Sequence, residues 1–145
     1  MSRGMNETIL AIRDREVGRL RAMGEPGVSR RPSPRKWCKK EILGHLIDSA
    51  GNNVQRFVRA QLAAELSFPA YEQAKWVAVQ DHASEDWSVL VELWSALTAH
   101  IAHVVSRIPE AKLSTPCRIG DNEPQALSAL IDGYVTHTEH HLAQI

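Results

Sequence analysis

The sequence predicts an all-α protein, a single four-helix bundle over residues 1–145, and three observations lead there. Seven prolines, at positions 26, 32, 34, 69, 109, 116 and 124, leave four long stretches free for helices, because a proline inside a helix costs about 3 kcal/mol. Apolar residues in those stretches recur at i, i+3, i+4 and i+7, the period of one helix face. No stretch shows the period-2 alternation of a half-buried strand. Four amphipathic helices in a chain of this length pack most simply around one core.

The first helix is expected over residues 6–23, with Ile9, Ile12, Leu20 and Met23 on one side and Gly24 and Pro26 as its stop. The second is expected over 39–66. Its Leu43, Leu46, Ile47, Ala50, Val54, Phe57 and Val58 fall within a sector of roughly 120°. The third is expected over 84–108, capped by Ser84, with Glu85 and Asp86 at its positive start. Trp87, Leu90, Val91, Trp94, Leu97, Ile101, Val105 and Ile108 form its stripe, and Pro109 stops it. The fourth is expected over 123–144, with Asn122 as cap and Pro124 in the first turn. Leu127, Leu130, Ile131, Tyr134, Thr138, Leu142 and Ile145 share its face. The connection 67–83 is long for a bundle loop and leaves room for a crossover.

Composition narrows the function classes. Lys plus Arg and Asp plus Glu both number 17, so the net charge is zero, and long-range attraction to nucleic acid or anionic membranes is not expected. The basic cluster Arg30, Arg31, Arg35, Lys36, Lys39 and Lys40 reads as a solvated loop and helix start, since no nucleic-acid motif accompanies it. No run approaches the ~18 apolar residues of a membrane span, and the first 20 residues lack a signal-peptide core. A cytoplasmic location is the expectation. Cys38 and Cys117 are the two cysteines, too few for a disulfide scaffold, and they read as small core residues.

The histidines carry the chemistry. His137 and His141 are one helical turn apart on one face, a spacing at which two imidazoles reach one metal ion while a third ligand comes from elsewhere. Seven histidines in 145 residues give about 0.3 such pairs by chance, so the pair alone is weak. His140 points farther out and is excluded as a ligand. His100 and His103 point away from their stripe and read as surface residues, and His82 in the connection has no assigned role. His45 lies roughly 160–200° from the apolar stripe of its helix, beside Glu41, Asp48 and Asn52. That side is either a solvent-facing polar face or a polar cleft reaching toward His137 and His141. Gly44 and Gly51, seven apart on one flank, either suit a close approach by another helix or simply lower helix propensity.

Two motifs give these residues a context. The segment from Trp37 to Ala50 (WCKKEILGHLIDSA), followed by Asn52, Asn53, Arg56 and Phe57, resembles the second-helix signature of the DinB-like superfamily. The closing segment from Tyr134 to Ile145 (YVTHTEHHLAQI) resembles that superfamily's last-helix motif. Trp76, Trp87, the run Leu90 to Trp94 and the segment Cys117 to Gly120 fit as well. The resemblance implies a YfiT-type bundle with one divalent metal on His45, His137 and His141. It also implies a homodimer that takes a small-molecule substrate. Characterised members include S-transferases using bacillithiol, mycothiol or glutathione and a thiol-dependent maleylpyruvate isomerase. The chain departs from the pattern at three places: Cys38 replaces the usual capping Ser, Val54 a frequent His, and Gly133 a frequent Asp.

Three neutral imidazoles leave coordination positions open, which marks a catalytic rather than a structural metal. Zinc and nickel both suit such a set. The implied activity is a metal-dependent thiol-S-transferase acting through a low-molecular-weight thiol. A hydrolase of small esters or amides and a non-catalytic metal-binding bundle are the alternatives. Asp48 and Asn52, one and two turns beyond His45, are candidates for orienting a ligand or contacting substrate. Glu41 is expected to serve the helix start, Thr138 the packing, and the four tryptophans the core or an interface.

Overall fold

The computed structural model describes residues 2–145. Five helices and three short strands follow in order: α1 (Ser2–Arg21), α2 (Lys39–Gln61), β1 (Leu66–Phe68), α3 (Gln73–Gln80), α4 (Trp87–Ser106), β2 (Pro116–Ile119), β3 (Gln125–Ala126) and α5 (Leu127–Leu142). The four long helices form the bundle. α4 packs against both α1 and α2, and α5 closes the ring against α2 and α1. The consecutive helices α1 and α2 therefore stand across the bundle from each other, and the connections cross over.

The predicted stripes form the core. Ile9, Ile12, Leu20, Leu43, Leu46, Ala50, Phe57, Leu90, Trp94, Ile101, Val105, Leu127, Ile131 and Leu142 are all buried in one cluster. Val58 departs from its stripe and is 39% exposed, although Phe57 and Ala60 beside it are fully buried. Thr138 is buried and donates back to the Tyr134 carbonyl at 2.8 Å, which spends its hydroxyl within the helix. Trp87 Nε1 donates to the Leu20 carbonyl at 2.8 Å and fastens the start of α4 to the end of α1. By length and apolar character α4 passes for a membrane span. Its Leu90, Val91, Trp94, Ile101 and Val105 lie in the bundle core.

The helix boundaries move for identifiable reasons. The start of α2 is as predicted: the Cys38 thiol and Glu41 form a capping box in place of the usual hydroxyl, with Cys38 N–H donating to Glu41 Oε1 at 3.1 Å. α4 begins three residues later than expected, because His82–Ser84 form a short 3₁₀ turn and Asp86 takes the cap. Asp86 Oδ1 accepts from Ser88 N at 2.8 Å. α5 also starts late, at Leu127 rather than residue 123. The Leu127 and Ser128 N–H groups find their acceptors in the carbonyls of Thr115 and Leu113, both at 2.9 Å, so no side-chain cap from Asn122 is used.

The strands were not legible as a period. β1 pairs parallel to β2 with Leu66 opposite Cys117 and Phe68 opposite Ile119, and β2 pairs antiparallel to β3. Strands of two to four residues are too short for alternation to register. The little sheet ties the segment after α2 to the segment before α5.

α3 and the 3₁₀ turn lay the connection between α2 and α4 back over α2. The contact is tight at Gly44, where a Cβ would come within 2.3 Å of the His82 ring, whereas a Cβ at Gly51 would meet nothing within 4 Å. The two glycines therefore predict opposite results. Gly44→Ala should destabilise the fold by about 1–3 kcal/mol through overpacking. Gly51→Ala should stabilise it by about 0.5–1 kcal/mol by removing a mid-helix glycine. Urea unfolding of the two variants beside the parent checks both signs.

Candidate metal centre

His45 sits in the second turn of α2 and is fully buried, at 0% exposure. Of the two readings of its helix face, the polar cleft is the one found, because α5 and the connection cover that face. His137 and His141 project from successive turns of α5 onto it. His45 Nε2 and His137 Nε2 lie 3.0 Å apart. One nitrogen from each of His45, His137 and His141 falls within 4.8 Å of the other two. Two nitrogens bound to one tetrahedral ion stand about 3.4 Å apart, so small side-chain movements bring the set to coordination distance. His140 lies outside the group and accepts from Gln144 Nε2 at 3.3 Å.

The surroundings fix the imidazoles as lone-pair donors. Burial, then the neighbouring His137 and His141, push the His45 pKa down from 6.5 to about 4. Burial and His141 hold His137 down to about 4 as well. Gln144 Oε1 accepts from His141 Nδ1 at 2.8 Å, which leaves the His141 Nε2 lone pair free. His45 Nδ1 is enclosed with no hydrogen-bond partner among the described residues. Its ring packs against Trp37, with centroids 5.2 Å apart. Trp37 thus belongs to the edge of this site, Trp87 and Trp94 to the core, and Trp76 is partly exposed. A buried polar atom without a partner costs about 1–3 kcal/mol. Such costs concentrate where function requires them. Three converging imidazole nitrogens with no carboxylate in the group suit a divalent ion.

Asp48 is buried but turned away from the histidines. Its Oδ1 accepts from Gln80 Nε2 at 2.8 Å and lies 3.5 Å from His82 Nε2. Asn52 donates to the Asp48 carbonyl at 2.9 Å, a bond within α2. His82, given no role from the sequence, is a correction: it is 3% exposed and packs on Gly44 between Asp48 and Glu85. Asp48 foremost, then Glu85, raise its pKa against the effect of burial. Glu41 serves the start of α2 as predicted and pairs with Arg31 Nη1 at 2.6 Å. Within the basic cluster Lys40 is buried against Glu25 at 2.7 Å, whereas Arg30, Arg35 and Lys36 are exposed as expected. Cys38 and Cys117 are free and buried. His100 and His103 are exposed.

Two cavities lie near the site, one reaching His137 itself and the other its neighbours Trp37 and Gln144. One, of about 300 Å³, has His137 and Tyr134 in its wall together with Ser49, Asn53, Arg56 and Tyr71. The other, of about 460 Å³, lies against Trp37, Arg35, Lys36 and Gln144. Sequence reasoning missed Ser49, Asn53, Arg56 and Tyr71 as cavity residues. The signal for three of them is present: Ser49, Asn53 and Arg56 repeat the His45 position at i+4, i+8 and i+11.

The depressed pKa values fix the acid behaviour of the ion-free protein. His45 and His137 titrate in the folded chain below their ordinary 6.5, so the unfolded chain takes up their protons first. Stability should then fall as the pH drops from about 6.5 through about 4. His82 acts with the opposite sign, since its raised pKa gives stability that is present below 6.5 and lost as the pH rises through its folded value. Denaturant unfolding across pH 4–8 should show a smaller acid loss for His45→Asn than for the parent, and an accentuated one for His82→Asn.

Comparison with known proteins agrees with this architecture. Residues 9–145 match the sequence family described as the DinB superfamily. A candidate metal-dependent hydrolase of Oceanobacillus iheyensis is 23% identical over 141 residues, spanning 97% of this chain and 75% of its own length. Among solved structures, YfiT from Bacillus subtilis, a candidate metal-dependent hydrolase with an unusual four-helix bundle topology, superposes with a TM-score of 0.81. It does so at 19% identity, over 99% of this chain and 83% of YfiT. The mycothiol-dependent maleylpyruvate isomerase superposes with a TM-score of 0.79 at 9% identity, over 99% of this chain and 60% of its own. With the family match running through both histidine-bearing helices, the chain belongs to the DinB superfamily.

Proposed function

We propose that this chain is a metal-dependent thiol-S-transferase, with His45, His137 and His141 as the ligands of one zinc or nickel ion. The observation that carries it is the pair of cavities beside the three histidines, neither of which has a carboxylate in its wall among the described residues. A divalent ion held by three imidazoles supplies a Lewis acid that lowers the pKa of a thiol or a water molecule. A thiol, with an ordinary pKa near 8.5, needs far less help than water and no protein base. Asp48, the nearest acid on α2, is engaged by Gln80 and His82 instead. Gly133 lines the cavity at the position where the family often has an Asp, and a side chain there would meet nothing within 4 Å. The chain therefore lacks the acid that this position would supply as a general base.

The remaining residues have definable parts. Trp37 and Gln144 fix the rings of His45 and His141. Arg35 and Lys36 give the larger cavity a positive rim suited to an anionic low-molecular-weight thiol. The smaller cavity, bounded by His137 and Tyr134, takes the electrophile. Hydrolysis of small esters or amides is the second reading, favoured by the descriptions of the Oceanobacillus relative and of YfiT. A cytoplasmic location and a homodimer, the latter as the family resemblance implies, are part of the proposal.

Elemental analysis of protein purified without a histidine tag should find one divalent ion per chain, absent in His45→Ala. Gln144→Ala should weaken metal affinity about 10- to 100-fold by freeing the His141 ring. A parent that is metal-free and binds neither added zinc nor nickel overturns the metal centre. With metal present, turnover that requires both a thiol and an electrophile supports the transferase. Ester hydrolysis without thiol establishes the second reading.

A further inference from the structure

The polar face of α2 continues well beyond the histidines. His45, Ser49, Asn53 and Arg56 recur at i, i+4, i+8 and i+11, within about 80° around the helix axis, and rise about 16 Å along it. His45, Ser49 and Asn53 are buried. Ser49 and Asn53 satisfy one another, with Asn53 Nδ2 donating to the Ser49 carbonyl at 2.8 Å and to its hydroxyl at 3.3 Å. Arg56, at the far end, is not satisfied. Its Nε is enclosed with no hydrogen-bond partner, and no carboxylate pairs with its guanidinium among the described residues. Burial depresses its pKa, a cost that only the nearby Tyr71 eases.

What holds the group is the Phe68 ring of β1, whose centroid is 5.3 Å from the guanidinium carbon. That contact orients the fork without neutralising it. The 300 Å³ cavity in front of it has no carboxylate in its wall among the described residues, and its other polar lining includes Tyr71, Gln73 and Gln125. A guanidinium facing a cavity that supplies no carboxylate partner suits an anionic ligand that matches its planar fork, a carboxylate.

We infer that Arg56 is a carboxylate-binding residue, so that the molecule entering the His137 cavity is an organic acid whose carboxylate is anchored some three turns of α2 away from the three histidines. This inference rests on the reading of that cavity as the electrophile site, and it adds the substrate class and the specificity residue. Such a carboxylate replaces the missing counter-charge and fixes the distance from anchor to reacting centre.

The test uses 4-phenylbutyrate and its uncharged amide, 4-phenylbutyramide, followed by NMR titration of the backbone amides of the full chain, before and after chelation of metal. The carboxylate should bind before and after chelation and shift α2 amides around Arg56, and the amide should bind at least tenfold more weakly. Arg56→Gln should weaken carboxylate binding about 10- to 100-fold with the amide unaffected, and Arg56→Lys should recover part of the loss. Equal binding of acid and amide overturns the inference. So does carboxylate binding that survives Arg56→Gln, or that disappears on chelation because it sat on the ion. These outcomes are independent of metal content: a metal-free parent that binds the carboxylate through Arg56 removes the transferase reading and leaves the anion site in place.

Discussion

The structure depends on the burial of α2 on both of its faces. Every residue from Lys40 to Ala50 is buried, although only half of that helix surface is apolar. The apolar half, Leu43, Leu46 and Ala50, joins the bundle core. The other half carries His45, Asp48 and Ser49, and buried polar groups must find partners or lose the free energy of their lost hydration. α5 supplies His137 and His141 to His45. The connection supplies Gln80 and His82 to Asp48. The crossing connection and the seat at Gly44 follow from the same need to cover a polar helix face.

Two histidines on opposite sides of that face experience opposite environments. His45 meets two imidazoles and an indole, and burial keeps it neutral. His82 meets two carboxylates that favour its cation. Engaging Asp48 with Gln80 and His82 keeps the three-histidine group free of carboxylate oxygen. The result is a borderline-soft, all-nitrogen donor set without the charge of an acid ligand, the kind that late divalent metals accept and magnesium or calcium do not.

Periodicity revealed the helices well because each bundle helix has one wide apolar stripe, and the stripes of α1, α4 and α5 meet residue for residue in the core. It failed where a side chain's neighbour comes from a distant segment. His45 lay opposite the stripe, and a polar face covered by another element has the same sequence as one covered by water. The family motif, rather than the spacing, brought it together with His137 and His141. Leu66 looked like the end of a helix and instead begins a three-residue strand, since its pairing partner Cys117 is 51 positions away. Ser84 and Asn122 were sound caps by type. They lost to Asp86 and to the carbonyls of Thr115 and Leu113, whose positions only the tertiary fold sets. His82 was illegible for the same reason: its partners, Gly44 and Asp48, sit on another element.

The division between legible and illegible parts coincides with a division of labour. The three histidines stand near the start of α2 and on α5, rigid elements whose packing fixes donor positions. The walls of the cavity at His137 combine residues of α2 and α5 with six from the connecting segments: Ala70, Tyr71 and Gln73 before and within α3, Ile119 in β2, Asn122 and Gln125 before α5. Changes in those segments alter the shape and polarity offered to a substrate without moving an imidazole, because loops tolerate substitution where bundle helices do not. Arg56 links the two parts. Its backbone belongs to the same helix as His45, so its distance from the donor group is fixed. Its side chain is aimed by Phe68 of the small sheet. The small sheet thereby holds that guanidinium against the cavity, at one end of a rod that has the donor group farther along it.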